Sequence, residues 1–336
     1  MRNRFHCLIS ILAVAALYIP AVGPTSAKAQ APAASVSSST AQIRALKITV
    51  LSTMLVGDIE GLGEWGFSAL VEADGHRILV DTGAHPQTVL QNARDLHIDL
   101  SDVKEAILTH NHWDHVGGLM PLRRGMITTN PAALSVVHVG RGIFYSRPSP
   151  KGEQNAMVAI RKDYQSTGGE FVEHAEGVDI FPGAWLTGPV PRKYPEPTWS
   201  PGGKVQTPSG LVEDDIPEDQ SLVFNTSLGL VVLTGCGHAG IINILTYAKQ
   251  RFPKQPVYAV VGGLHLFAAS DKQLNWTGDK LKEFRVANLL GAHCTGIEAV
   301  YQLRERAGLT RKSAAVGSVG STLTLGEGIR TGMLAK

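Results

Sequence analysis

Cysteine is scarce in this chain, three among 336 residues, so a fold stapled by several disulfides is excluded. Charged residues make up only 18%, and no dense lysine and arginine stripe occurs, so the electrostatic footprint of a nucleic-acid-binding protein is missing. Long apolar runs are absent too. The most continuous, residues 7–22, is short against the roughly 20 residues of a membrane-spanning helix. What the chain does have is 43% hydrophobic residues and 36 glycines, the composition of a compact protein with a large core and many tight turns.

The N-terminus reads as an export signal. Arg2 and Arg4 precede the apolar run, and Ala27-Lys28-Ala29 supplies a small-residue cleavage pattern, so residues 1–29 form a secretory signal peptide cut after Ala29. Loss of Arg2, Arg4 and Lys28, with no acid among those residues, takes the formal charge from +2 to −1. The expected mature protein is periplasmic or secreted, free of the membrane after cleavage, with a small-molecule substrate and no nucleic-acid partner. Nothing in the sequence sets its oligomeric state. Residues 30–44, rich in Ala and Ser, read as a flexible tether, and residues 45–330 as one catalytic domain. Cys7 leaves with the signal. Cys236 and Cys294 remain, each inside a histidine-containing motif, so metal proximity and a structural bridge are both open to them.

Strand character runs through residues 45–52 and 68–80, the second broken by Asp74-Gly75, a favoured two-residue hairpin turn. Residues 87–96 carry apolar side chains at helical spacing, and residues 103–108 make a short buried strand. A second series follows: short strands around Pro182-Gly183, a hairpin over 221–234, helix 241–251, strand 257–261, helix 272–284, strand 286–290, helix 297–306 and a strand at 321–325. Residues 145–152 and 194–217, polar and rich in Pro and Gly, read as surface loops or a lid. Two halves of strands followed by helices imply a two-layered β core wrapped by helices.

The strand at 103–108 delivers Thr-His-Asn-His-Trp-Asp-His-Val-Gly-Gly-Leu, residues 109–119. Three imidazoles and a carboxylate within six positions are ligands for a borderline cation such as zinc. One ion can take His110 and His112 while a neighbour takes Asp114 and His115, the arrangement of a two-metal site. With its flanks, this stretch resembles the signature of the metallo-β-lactamase superfamily, which implies an α/β fold, a four-layer αββα sandwich with the metal site at one edge of the sheets. Asp81-Thr82-Gly83 resembles that superfamily's early motif, whose aspartate supports the ligand loop.

Residues 230–243 (LVVLTGCGHAGIIN), 260–266 (VVGGLHL), 292–296 (AHCTG) and 181–192 (FPGAWLTGPVPR) resemble the dihydropteroate-synthase-like branch. Its members often carry the label 7,8-dihydropterin-6-yl-methyl-4-(β-D-ribofuranosyl)aminobenzene-5′-phosphate synthase. The chain departs from the branch at Gly237, where it usually has Ser, at Trp65, where it has His, and at Pro189, where it has an acid.

The resemblance implies further ligands. Its final histidine matches His293, its bridging Gly-Asp pair is replaced by Gly235-Cys236, and its third-histidine segment by Pro217-Glu218-Asp219-Gln220. Two arrangements complete the first ion: His238 through its imidazole, or Asp219 through an oxygen with Cys236 as a thiolate. The glycines around His238 favour the first. Cys236 reads equally as a ligand and as a small buried residue. His265 reads as a hydrogen-bond partner, a substrate contact or an acid, and Arg192 as an anion-binding or a surface arginine. Asp114 and His265 are the catalytic candidates, one orienting the nucleophile and the other protonating the leaving group.

The expected function is that of an exported metal-dependent hydrolase using a metal-held hydroxide on an ester, phosphoester, lactone or amide, with two zinc ions, or iron or manganese in their place. The rival readings are a non-hydrolytic metalloenzyme on the same fold, a pterin-type synthase or iron oxidoreductase, and a metal-binding protein without turnover.

Overall fold

A computed structural model describes residues 41–57, 61–196 and 202–336. The expected signal peptide and residues 30–40 of the tether lie outside the described residues. Residues 41–44 of that tether belong instead to the packed unit. Ile43 is fully buried, its amide donating to the Asn225 carbonyl at 2.8 Å, because an apolar side chain beside a sheet edge gains more from burial than a free linker does. At the other end a short helix at Met333–Ala335 buries Ala335 against Val300 and Val316, carrying the packed unit past residue 330.

The first sheet takes β1 (Leu46–Ser52), β2 (Ser68–Ala73), β3 (His76–Val80), β4 (Glu105–Leu108), β5 (Val136–Gly140) and β6 (Glu170–His174). The second takes β7 (Val178–Phe181), β8 (Ala184–Leu186), β9 (Ser221–Thr226), β10 (Gly229–Thr234), β11 (Val257–Gly262), β12 (Asn288–Gly291) and β13 (Ala314–Val316). The chain then returns to the first sheet with β14 (Thr322–Thr324) and β15 (Gly328–Arg330). The spatial orders are β15-β14-β1-β2-β3-β4-β5-β6 and β7-β8-β9-β10-β11-β12-β13. The β2–β3 turn is the expected one, with Asp74 and Gly75 both at positive φ, 46° and 88°.

Side-chain alternation along the strands builds the layers. In β10, Val231 and Leu233 point into a core shared with Ile48, Val50, Val71, Val80 and Ile107 of the first sheet, while Leu230 and Val232 point outward onto Ile241, Ile244 and Leu245. Those outward contacts come from α5 (Ile241–Arg251), beside α6 (Asp271–Glu283) and α7 (Ile297–Arg306). On the other outer face, Leu70, Leu79, Leu108 and Val139 pack on α1 (Thr88–Asp95), α3 (Leu119–Met126) and α4 (Ala156–Ser166), with the single turn α2 (Trp113–Val116) ahead of α3. The result is the four-layer αββα sandwich.

Two features differ from the sequence expectation. Helix α4 goes unannounced because it buries only Met157 and Tyr164; Asn155 caps it by accepting from the Met157 amide. Within the expected loop 194–217, Lys204–Thr207 and Gly210–Glu213 pair as a small antiparallel hairpin.

The topology decides where function can sit. Strands β3 to β6 run parallel to one another, and so do β10 to β13. The carboxyl ends of β3, β4, β10, β11 and β12 lead straight into Asp81, the 109–115 loop, Cys236 and His238, His265, and His293. Ligands in open parallel sheets gather at such ends.

A buried ion network braces the loop after β4. Arg147, 6% exposed, donates through Nε to Asp214 at 2.8 Å and through Nη2 to Glu218 at 2.7 Å, and the other Glu218 oxygen accepts from the Asn111 amide at 3.2 Å. Removing the guanidinium strands two carboxylates in the interior. Arg147→Ala is expected to lower unfolding free energy by about 3–5 kcal/mol, read from urea melts; a loss under about 1 kcal/mol shows that the network is not what braces the loop.

Glu196 supplies a pH signature. Its carboxylate accepts from the Ile242 and Asn243 amides at the start of α5, and burial pushes its pKa from 4.5 up to about 7. The folded state therefore holds this proton more tightly than the unfolded chain. The associated stability is complete below about pH 4.5 and is lost as pH rises through about 7. Glu196→Gln is expected to flatten that fall relative to wild type in melts across this range, and parallel curves count against it.

Candidate metal centre

Asp81 begins the site. It leaves β3 at φ +55°, and its two oxygens serve three donors: the Thr109 amide at 2.7 Å, the Thr109 hydroxyl at 2.8 Å and His115 Nδ1 at 2.7 Å. The Thr109 hydroxyl spends its proton on Asp81, so it accepts from His110 Nδ1 at 3.0 Å. One carboxylate thereby fixes the tautomer of two imidazoles, each with Nε2 left to face inward. Gly235 makes this approach feasible, because a Cβ there would collide with the Thr109 hydroxyl and the Asp81 carboxylate.

The inward nitrogens meet around one sulfur. His110, Cys236 and His238 form one group whose ligand atoms lie within 4.8 Å of one another, and His115, Cys236 and His293 form a second. Cys236 Sγ stands 3.1 Å from His115 Nε2. The His112 ring lies beside the first group, 4.6 Å from that of His110 and 4.8 Å from that of His238. Asp114 closes on the second, its carboxylate 3.1 Å from His293 Nε2 and 3.8 Å from His115 Nε2. Of the expected division, His110 and His238 fall in one group and His115 and His293 in the other, with the His112 ring and the Asp114 carboxylate beside them and Cys236 common to both.

These residues fit cations by their own chemistry. His110 Nε2 and both His238 nitrogens are buried with no hydrogen-bond partner among the described residues, an arrangement that is costly unless a cation takes the one lone pair that each neutral ring offers. Burial, reinforced by neighbouring imidazoles, holds His110 and His238 well below the ordinary histidine range, and burial pulls His112 down to about 4, so all three present neutral nitrogen. At His115 burial is outweighed by Asp81 and Asp114, which push it up to about 9; a cation bound at Nε2 would take the place of that proton. Burial also opposes charge on Asp114, yet His115 and His293 hold its carboxyl well below the usual range.

The backbone spends strain here. Of the eight described non-glycine residues at positive φ, three belong to the site: Asp81, His265 at 51° and His293 at 46°. His265 places its ring 4.4 Å from that of His238. Exposed aromatic rings rim this side. Trp65 is 46% and Phe267 43% exposed, 5.3 Å apart between centroids, and Trp65 lies edge-on to His293 at 5.1 Å.

Two candidates take supporting positions. Asp219 accepts from the Ala239 amide at 2.8 Å, and burial pushes its carboxyl up to about 6; its ligand atoms join neither group. Arg192 donates to the carbonyls of His238, at 2.7 Å, Ile216, at 3.2 Å, and Asp215, so its guanidinium ties the His238 loop to the 215–216 segment. Among the other described histidines, His85 bonds Glu64 at 2.7 Å, and His138 pairs with His174 at 3.0 Å. What sequence spacing did not disclose is the brace behind the loop, Arg147 with Glu218, and the meeting of Cys294 with Cys236, whose sulfurs lie 3.2 Å apart, both thiols free.

The Asp81 network generates a prediction. Asp81→Asn keeps the size but replaces one acceptor oxygen with an amide donor facing His115 or Thr109. Cation affinity, read by competition with a chromophoric chelator, is expected to fall by about 10–100-fold. Unchanged affinity would refute the orienting role.

Comparison with known proteins agrees with this fold. A sequence profile described as the Metallo-beta-lactamase superfamily matches residues 66–131, the stretch from just before β2 through the histidine loop and α3. The chain is 27% identical over 244 residues to the 7,8-dihydropterin-6-methyl-4-(beta-D-ribofuranosyl)-aminobenzene-5'-phosphate synthase of Methanocaldococcus jannaschii, spanning 70% of this chain and 82% of that one. Among solved structures, a metal-dependent hydrolase of the beta-lactamase superfamily aligns with a TM-score of 0.67 and 29% identity, over 83% of this chain and 98% of the other. The metallo-beta-lactamase fold protein YhfI from Bacillus subtilis aligns with a TM-score of 0.51 and 13% identity over 82% of this chain and 98% of that one, a likeness of fold alone. Profile, relatives and layered architecture converge on one fold: the chain carries a stretch that matches the metallo-β-lactamase superfamily profile within an αββα sandwich of the metallo-β-lactamase type.

Proposed function

We propose that the protein is a metal-dependent hydrolase acting on an ester, phosphoester, lactone or amide of a small molecule, and that the leader at residues 1–29 directs it out of the cytoplasm. The observation that carries this reading is the pair of ligand groups meeting at Cys236, which suits two cations held side by side. Zinc fits the nitrogen and sulfur donors, and iron or manganese can use the same imidazoles and carboxylate. Such a pair supplies an acidified water and polarises a carbonyl or phosphoryl oxygen, so no protein nucleophile is required.

The chain's own groups do the rest. Asp114 is 19% exposed on its side chain, and its carboxylate is placed to orient the attacking water. His265 lies next to His238 and outside both histidine groups. Trp65 and Phe267 offer an apolar wall on the same side.

A second reading, bond formation at the same centre, has one observation in its favour: the Methanocaldococcus jannaschii relative is named a synthase. A reporter panel separates the two. Metal-loaded protein is expected to turn over at least one of a phosphodiester, a lactone and a β-lactam reporter, and His112→Ala to lower that rate by at least about 100-fold, beyond what loss of a supporting residue costs. If wild type and variant are equally inert while the wild type holds its metal, hydrolysis is refuted.

A further inference from the structure

The two cysteines left after removal of the expected leader, 58 positions apart in sequence, end with their sulfurs 3.2 Å from each other. Free buried cysteine usually behaves as a small hydrophobe. At both positions the neighbours are of another kind. Each is buried, at 2% and 0% exposure, yet neither belongs to any of the hydrophobic clusters that make up the core. Their surroundings are ligand-type side chains. Cys236, Cys294 and His265 form a third group whose ligand atoms lie within 4.8 Å of one another, next to the two histidine groups and sharing the Cys236 sulfur with them.

The backbone is shaped to keep Cys294 there. It sits in a short 3-10 turn, His293–Thr295, between two glycines' worth of tight chain: a Cβ at Gly263 would lie 2.9 Å from its sulfur, and one at Gly296 would press on the Phe267 backbone. Its carbonyl accepts from the Leu266 and Phe267 amides at 3.0 and 3.1 Å, which pins the turn carrying Cys294 to the loop carrying His265. Two thiolates on one tetrahedral zinc, each about 2.3 Å from it, stand about 3.8 Å apart. The observed separation is well beyond a disulfide bond, about 2.05 Å, and about 0.6 Å short of that spacing.

From this geometry we infer that Cys294 is a metal ligand: Cys236, Cys294 and His265 hold a thiophilic divalent cation on the sulfur face of the centre, so that its donor set is mixed sulfur and nitrogen. On binding, each thiol gives up its proton and forms a sulfur–metal bond, with no change of oxidation state. Sulfur on this face favours zinc or ferrous iron over magnesium, calcium or manganese. The inference rests on the metal-binding half of the proposed function and is independent of whether any substrate is hydrolysed.

The test reads the metal directly. The full chain is stripped, reloaded with cobalt(II), and its near-ultraviolet sulfur-to-cobalt absorption is compared with those of Cys294→Ala and Cys236→Ala. Cys294→Ala is expected to lower the band, since it removes one sulfur–metal bond; Cys236→Ala, which removes a sulfur shared among the groups, is expected to lower it further. A band in Cys294→Ala equal to that of wild type overturns the inference. Because either variant can fail to fold, X-ray absorption at the zinc edge of zinc-loaded wild type gives a second measure: a sulfur shell near about 2.3 Å is expected, and a shell of nitrogen and oxygen alone overturns it. A disulfide between Cys236 and Cys294 in the metal-loaded protein, seen as an intact mass lighter by a pair of hydrogens, also overturns it. Reporter cleavage with no loss of band in Cys294→Ala would leave the hydrolase reading standing while this one falls; a sulfur-ligated but inert protein would do the reverse.

Discussion

The carboxylate of Asp81 is the fixed point of this molecule. Three donors converge on it from one loop, and through them it decides which nitrogen of His110 and of His115 faces the interior. A carboxylate with no exposure is expensive unless its lone pairs are engaged, so its burial and its hydrogen bonds are a single feature. That it stands in the left-handed region, at a cost few non-glycine residues bear, indicates how strongly the surrounding chain specifies it. Glycine at 235 is the complementary concession from the opposite sheet.

The site is a junction of two similar halves. Each contributes parallel strands whose carboxyl ends lie together, the first bringing Asp81, His110 and His115 and the second bringing Cys236, His238, His265 and His293. The departures from the superfamily pattern cluster on the second half, where sulfur replaces the expected carboxylate and His238 the expected distant histidine. Substituting a softer, larger donor at the shared position changes which metals are favoured without disturbing the first half.

Much of this was legible in the sequence because it is local. The 109–115 ligands are packed within one loop, the Asp74-Gly75 turn is set by backbone preference, and the alternating strands announce their two faces. Residues brought together by register were not legible. Arg147 and Glu218 are 71 positions apart, and the sulfurs of Cys236 and Cys294 meet only because β10, β11 and β12 stack in parallel with their ends level. Helix α4 escaped because only Met157 and Tyr164 are buried along it, too few for a periodic signal. Arg192 illustrates the converse limit: its type suggests anion recognition, whereas its donors are engaged by main-chain carbonyls.

That the two sheets lend ligands to one cluster has a consequence for folding. A cation that binds only when His110 and His115 stand opposite Cys236 and His293 binds only the assembled sandwich. Its free concentration then enters the folding equilibrium as a reactant, adding stability as the logarithm of its ratio to the dissociation constant. Metal supply would then govern not only whether the protein works but how much of it exists as a joined pair of halves.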